Sequence, residues 1–155
     1  MDSLSPNIFV KDMTATIAFY QQLGFQLIMS VPAQGEDEPA EAPPTEGSAT
    51  DAPAKATPTA PTKNALVWAM MTNGNVTMMF QTMDSLGDTL PAISRQNGGG
   101  LLFYINLPGI RAFFDRIKDK VNVVQDLQKT FYGATEFSIT DNNNYVLTFA
   151  EHEGE

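Results

Sequence analysis

No cysteine occurs in the 155 residues, histidine and tryptophan occur once each, and nine Lys and Arg face eighteen Asp and Glu. The missing cysteine excludes disulfides, thiolate nucleophiles and Cys-ligated metals together. The one histidine, His152, lies near the end between Glu151 and Glu153, so a Ser-His-Asp arrangement would have to be built on a tail residue. A net charge of −9 leaves no basic stripe to neutralise phosphates, which argues against nucleic acid as a partner. No apolar run approaches the ~20 residues of a membrane helix. No signal-peptide pattern opens the chain, so the sequence predicts a cytoplasmic protein with no membrane partner.

What is present is a globular composition, 43% hydrophobic with 10 Phe and 8 Met, sized for one domain over 1–155. Two fifteen-residue stretches resemble each other. WAMMTNGNVTMMFQT at 68–82 superposes on FSITDNNNYVLTFAE at 137–151, placing Trp68 on Phe137, Met70 on Ile139, Met78 on Leu147 and Phe80 on Phe149. Each alternates apolar and smaller or polar residues around an Asn/Gly/Asp cluster, the pattern of a β-hairpin, and two in matching phase indicate a duplicated unit.

Another similar pair precedes them. In NIFVKDMTATIAFYQQLGF, Ile8 and Val10 alternate as a strand and Asp12 can cap a helix. Ile17, Phe19, Tyr20 and Leu23 recur at helical spacing before Gly24 closes it. LLFYINLPGIRAFFDRIKDKV repeats the plan, with Pro108 suited to a first turn and Ile110, Phe113, Phe114 and Ile117 on one face. The first copy is longer by about 25 residues between helix and hairpin. Residues 33–63, rich in Pro, Ala, Thr and Glu, account for the excess. They hold six acids against two lysines and no aromatic residue, and are expected to form a solvated, disordered insertion. A role as a lid or partner-binding segment is the alternative. The plan is therefore a first module at 1–82, a connector at 83–100 with a short helix in TLPAISRQ and a hinge at Gly98–Gly100, and a second module at 101–151.

VKDMTATIAFYQQLGF at 10–25 and YGATEFSITDNNNYVLTFAE at 132–151 resemble motifs of the vicinal oxygen chelate superfamily, which includes glyoxalase I, extradiol dioxygenases and bleomycin-resistance proteins. The stretch at 132–151 is similar to the family's closing run, with Asn142 in place of the usual Pro and Asn144 in place of the usual Gly. Asn tolerates left-handed turn geometry, so the turn should survive. The resemblance implies an α+β fold of two βαβββ modules, a rolled mixed sheet forming a cup with helices outside. By alternation, Trp68, Met70, Val76, Met78 and Phe80 should pack under a helix, as should Phe137, Ile139, Leu147 and Phe149. Ala69, Met71, Thr77, Met79, Gln81, Glu136, Ser138, Val146 and Thr148 should then face the cup, with Ser5, Asn7, Leu102 and Tyr104 from the other strands.

Metal-dependent relatives carry His or Glu at four cup positions. The resemblance puts those positions at Ser5, Gly100–Leu102, Met79 and Thr148, none a plausible ligand for a divalent ion. The expectation is a protein without metal or other cofactor, closest in style to bleomycin-resistance members. It would bind a small cationic or aromatic molecule as a homodimer, without a catalytic residue. The expected ligand-binding residues are Met71, Met79, Gln81, Tyr104, Glu136, Ser138 and Thr148. Glu136 is the one cup carboxylate, a base or cation-binding group or else a member of a salt bridge. A lyase or dioxygenase with an atypical site and an interaction module acting through 33–63 are the competing expectations.

Overall fold

Two four-stranded mixed sheets, each with one main helix, carry the chain. The computed structural model describes residues 3–33, 65–96 and 98–152. The first module runs β1 (Asn7–Val10), α1 (Met13–Gln22), β2 (Gln26–Pro32), β3 (Leu66–Asn73) and β4 (Val76–Thr82), in sheet order β1-β4-β3-β2. A one-turn α2 (Met83–Leu86) follows. The second module runs β5 (Leu102–Asn106), α3 (Ile110–Ile117), β6 (Asn122–Lys129), β7 (Ala134–Thr140) and β8 (Val146–His152), in sheet order β5-β8-β7-β6. β1 pairs parallel with β4 and β5 with β8, while the other neighbours are antiparallel. This is the duplicated βαβββ plan.

Local chemistry sets the helix ends. Asp12 accepts a hydrogen bond from the Ala15 N–H at 2.9 Å, the N-cap its position suggested. Gly24, at φ 94°, ends α1 in a conformation that L side chains resist. At α3 Pro108 precedes the helix rather than standing in its first turn; the N-cap is Gly109, whose N–H donates to the Glu151 carboxylate of β8 at 2.6 Å. The connector differs from expectation. TLPAISRQ forms turns and bends, and the helical turn comes earlier, where Thr82 accepts from the Ser85 N–H at 3.4 Å. Gly98 is no free hinge either. It is buried at φ 71°, and a Cβ there would lie 2.5 Å from the Asn144 carbonyl oxygen.

One core serves both modules. Tyr20 of α1 packs on Phe80 with ring centroids 4.6 Å apart, while Phe113 and Phe114 of α3 pack on the stacked Phe137 and Phe149. Hydrogen bonds cross the seam: Tyr20 Oη donates to Asp141 at 3.0 Å, Asn143 Nδ2 to Thr16 at 3.0 Å, and Tyr145 Oη to the Phe9 carbonyl at 3.3 Å. Asn144 takes the left-handed φ of 62° foreseen for it.

The alternation of β4, β7 and β8 is as expected, but that of β3 is reversed. Ala69 and Met71 are fully buried on the core face beside Phe80 and Met78, and Met70 and Trp68 lie on the other face beside Met79 and Gln81. The cause is turn length. Asn73 pairs with Val76 around a two-residue turn, so odd residues of β3 share a face with even residues of β4. Thr140 pairs with Val146 around five residues, so the second hairpin keeps its parity. Met71 is therefore core, and Met70 takes its place on the open face.

The expected insertion lies outside the described residues from 34 onward. Its flanks meet, the Ala33 N–H donating to the Ala65 carbonyl at 2.7 Å. Replacing 34–64 by a short Gly/Ser turn should accordingly leave the melting temperature within a few degrees of wild type, because loop closure depends only weakly on length. A fall of ~10 °C or more in a thermal melt would contradict this.

Candidate functional site

Each sheet has a face turned away from its helix. On the first, Asn7 Nδ2 donates to Gln81 Oε1 at 3.1 Å, and strand register lines up Met29, Met70 and Met79, with Val31, Trp68 and Gln81 in the next row. This face is mostly apolar and half-buried to exposed. The expected Met79 and Gln81 are there, and Met70 and Trp68 join them.

The open face of the other sheet is polar. Ser138 and Thr148, paired across β7 and β8, share a hydrogen bond of 2.8 Å. Tyr104 of β5 stands in register with Thr148 and donates its hydroxyl to Glu136 of β7. Tyr132, in the turn between β6 and β7, reaches both oxygens of the same carboxylate at 2.9 and 2.8 Å. The Glu136 carboxylate beside it drives the Tyr104 phenol up to about 12, first through the hydrogen bond, and raises Tyr132 the same way. Both phenols therefore stay protonated as donors across the neutral range. His152 is no fraying tail residue: it pairs with Ala134 in the sheet, and its ring nitrogen lies 3.5 Å from the Tyr104 oxygen.

The expected site residues thus fall into two groups. Tyr104, Glu136, Ser138 and Thr148 gather on the second sheet, Met79 and Gln81 on the first, and Met71 on neither. Tyr132 was missed because it sits in a turn. Its signal was present in the spacing: four residues before Glu136, around a tight turn, it returns to the same carboxylate.

The resemblance puts the ligand positions of metal-dependent relatives at Ser5, Gly100–Leu102, Met79 and Thr148, whose side chains are poor donors for a divalent ion. Met79 offers a thioether, Leu102 an aliphatic chain, and the Thr148 hydroxyl is engaged with Ser138. Among the described residues, no three His, Asp or Glu side chains come together.

Two βαβββ modules around a shared core, with a polar cluster on the open face of the second mixed sheet, define a vicinal-oxygen-chelate type of protein. The family model described as "Glyoxalase/Bleomycin resistance protein/Dioxygenase superfamily" matches residues 3–149, and the chain belongs to that superfamily. Solved structures agree on the fold. TioX from Micromonospora sp. ML1 is 16% identical with a TM-score of 0.62, over 97% of this chain and 98% of that one. A glyoxalase/bleomycin resistance protein/dioxygenase family enzyme from Burkholderia phytofirmans PsJN is 18% identical, TM-score 0.61, over 96% and 97%. A bleomycin-binding protein complexed with bleomycin is 16% identical, TM-score 0.56, over 99% and 100%. A comparison with curated proteins gave no match. No helix among the described residues is long and apolar enough to cross a membrane.

Proposed function

We propose that this protein binds a small organic molecule on the open faces of its sheets, without a metal and without a chemical step. One observation carries the proposal: Glu136 is fixed by Tyr104 and Tyr132 on the face opposite the core helix, a polar anchor already organised before any ligand arrives. The bleomycin-binding neighbour shows that this fold can hold a ligand. In the proposal, Met79, Gln81, Ser138 and Thr148 line the site, together with Met70 and Trp68. A homodimer fits the surface. Ile28, Met29 and Val31 of the edge strand β2, and Leu102 and Val124 of the second module, are large apolar side chains left 43–57% exposed.

The test has two arms. Elemental analysis of purified protein should find far less than one Zn, Ni, Mn or Fe per chain. About one metal per chain, removable with loss of function, would move the protein to the lyase or dioxygenase reading. A thermal-shift screen of small aromatic and cationic compounds should find stabilisers, since a ligand at ~100 times its Kd adds about 2.7 kcal/mol. That stabilisation should shrink in Thr148→Ala.

A further inference from the structure

Glu136 is 6% exposed, and among the described residues the hydrogen bonds reaching its carboxylate come from the phenols of Tyr104 and Tyr132. A carboxylate buried among neutral donors keeps a strong attraction for positive charge, because nothing in those bonds cancels its charge. Lys129 on the neighbouring strand is registered with Thr135, so it lies on the opposite face of the sheet from Glu136. An ionised carboxyl has about four acceptor positions. Tyr104 occupies Oε1, and the single Tyr132 proton is shared between Oε1 and Oε2, which leaves Oε2 able to accept again.

The surroundings of this carboxylate are aromatic. Tyr104 and Tyr132 are half-exposed, and Phe131 beside Tyr132 is fully exposed, its ring edge-on with centroids 5.0 Å apart. Rings with negative faces around a carboxylate suit a cation that also carries apolar surface. We propose, on the basis of the binding function above, that Glu136, Tyr104 and Tyr132 seat the protonated amine of a small organic cation, and that Phe131 covers its apolar part. Glu136 Oε2 takes an ammonium N–H, and the tyrosine rings take the remaining positive surface. The selectivity is for charge at one atom, not for a general acidic field.

The experiment uses three probes of one shape: 2-phenylethylammonium, 2-phenylethanol and 3-phenylpropionate. Each is titrated by ligand-observed NMR at about 150 mM salt, where charges beyond ~8 Å are screened. The ammonium should bind at least about tenfold tighter than the alcohol, the size of one charge-assisted hydrogen bond, and the carboxylate weakest. Glu136→Gln, which keeps an acceptor oxygen, should remove the preference, while Asp126→Asn on the exposed part of β6 should keep it. Equal binding of ammonium and alcohol, or a preference that survives Glu136→Gln, overturns this inference and leaves the binding function standing. Should Glu136→Gln not fold, the wild-type ratio decides alone. If none of the three probes binds, the inference falls together with the binding function.

Discussion

Phe149→Ala is expected to cost about 3–5 kcal/mol of stability, read as a fall of ~10 °C or more in the melting temperature. The ring is 2% exposed and touches Phe113 and Phe137 at centroid distances of 5.0 and 5.1 Å, so its removal opens a cavity at the centre of the second module. Met71→Ala should also be costly, by about 2–5 kcal/mol, because Met71 is fully buried on the core face. Met79→Ala should cost much less, since its half-buried side chain lies on the open face, and should instead change ligand affinity. Urea or thermal unfolding of the three variants checks the assignment of faces. Met79→Ala as damaging as Phe149→Ala would show the open face filled, and the proposed site would be lost.

Asp141→Ala should be nearly as damaging, at about 3–5 kcal/mol, because alanine leaves three donors without partners at a buried seam, each worth about 1–3 kcal/mol. Asp141 Oδ1 accepts the N–H groups of Asn143 and Tyr145, each at 2.8 Å, and Oδ2 accepts the Tyr20 hydroxyl at 3.0 Å. Asp141→Asn keeps an oxygen for both N–H groups but offers Tyr20 only an N–H, so the Tyr20 hydroxyl must switch from donating to accepting and the cost should be smaller, about 1–3 kcal/mol. The pair also carries a pH signature. Burial raises the Asp141 carboxyl above its usual 3.8, and its hydrogen bonds pull it back only in part. The folded state then holds that proton more tightly than the unfolded state does. This group's contribution to stability is greatest near and below the ordinary carboxylate value and declines as pH rises through the raised one. Thermal melts from about pH 4 to pH 8 should therefore show Asp141→Asn gaining on wild type as pH rises. A constant difference would mean that the carboxyl titrates normally.

The duplicated modules, the Asp12 cap, the Gly24 stop and the left-handed Asn144 were legible in the sequence because each depends on neighbours in the chain. The face of β3 was not. Overlaying the two hairpins residue for residue assumed equal turns, and the difference between two and five residues, an odd number, inverted Met70 and Met71. The placing of the candidate site residues was legible wherever strand parity held. Glu136, Ser138 and Thr148 follow from alternation on strands whose parity is intact, and Met79 and Gln81 from β4. The hold of Tyr132 on Glu136 left only a faint signal, the spacing of four residues around a turn, and the placing of His152 in the sheet left none, since it depends on how the terminus folds back. Asp141 stands in a turn, and only its partner Tyr20, far away in sequence, shows why it is buried.

The contact between Gly98 and Asn144 has a consequence for cooperativity. Gly98 belongs to the segment joining the modules, and it presses on the same turn whose Asp141 and Asn143 bind α1 of the first module. Connector, turn and helix thus interlock at one point. Although the chain reads as one unit written twice, the two copies share one core and a set of hydrogen bonds across the seam. A polypeptide ending before Gly98 would leave Tyr20 without Asp141 and its ring open to water, and one beginning after it would leave Asp141 and Asn143 without their α1 partners. The duplicated halves should therefore melt together, in a single transition.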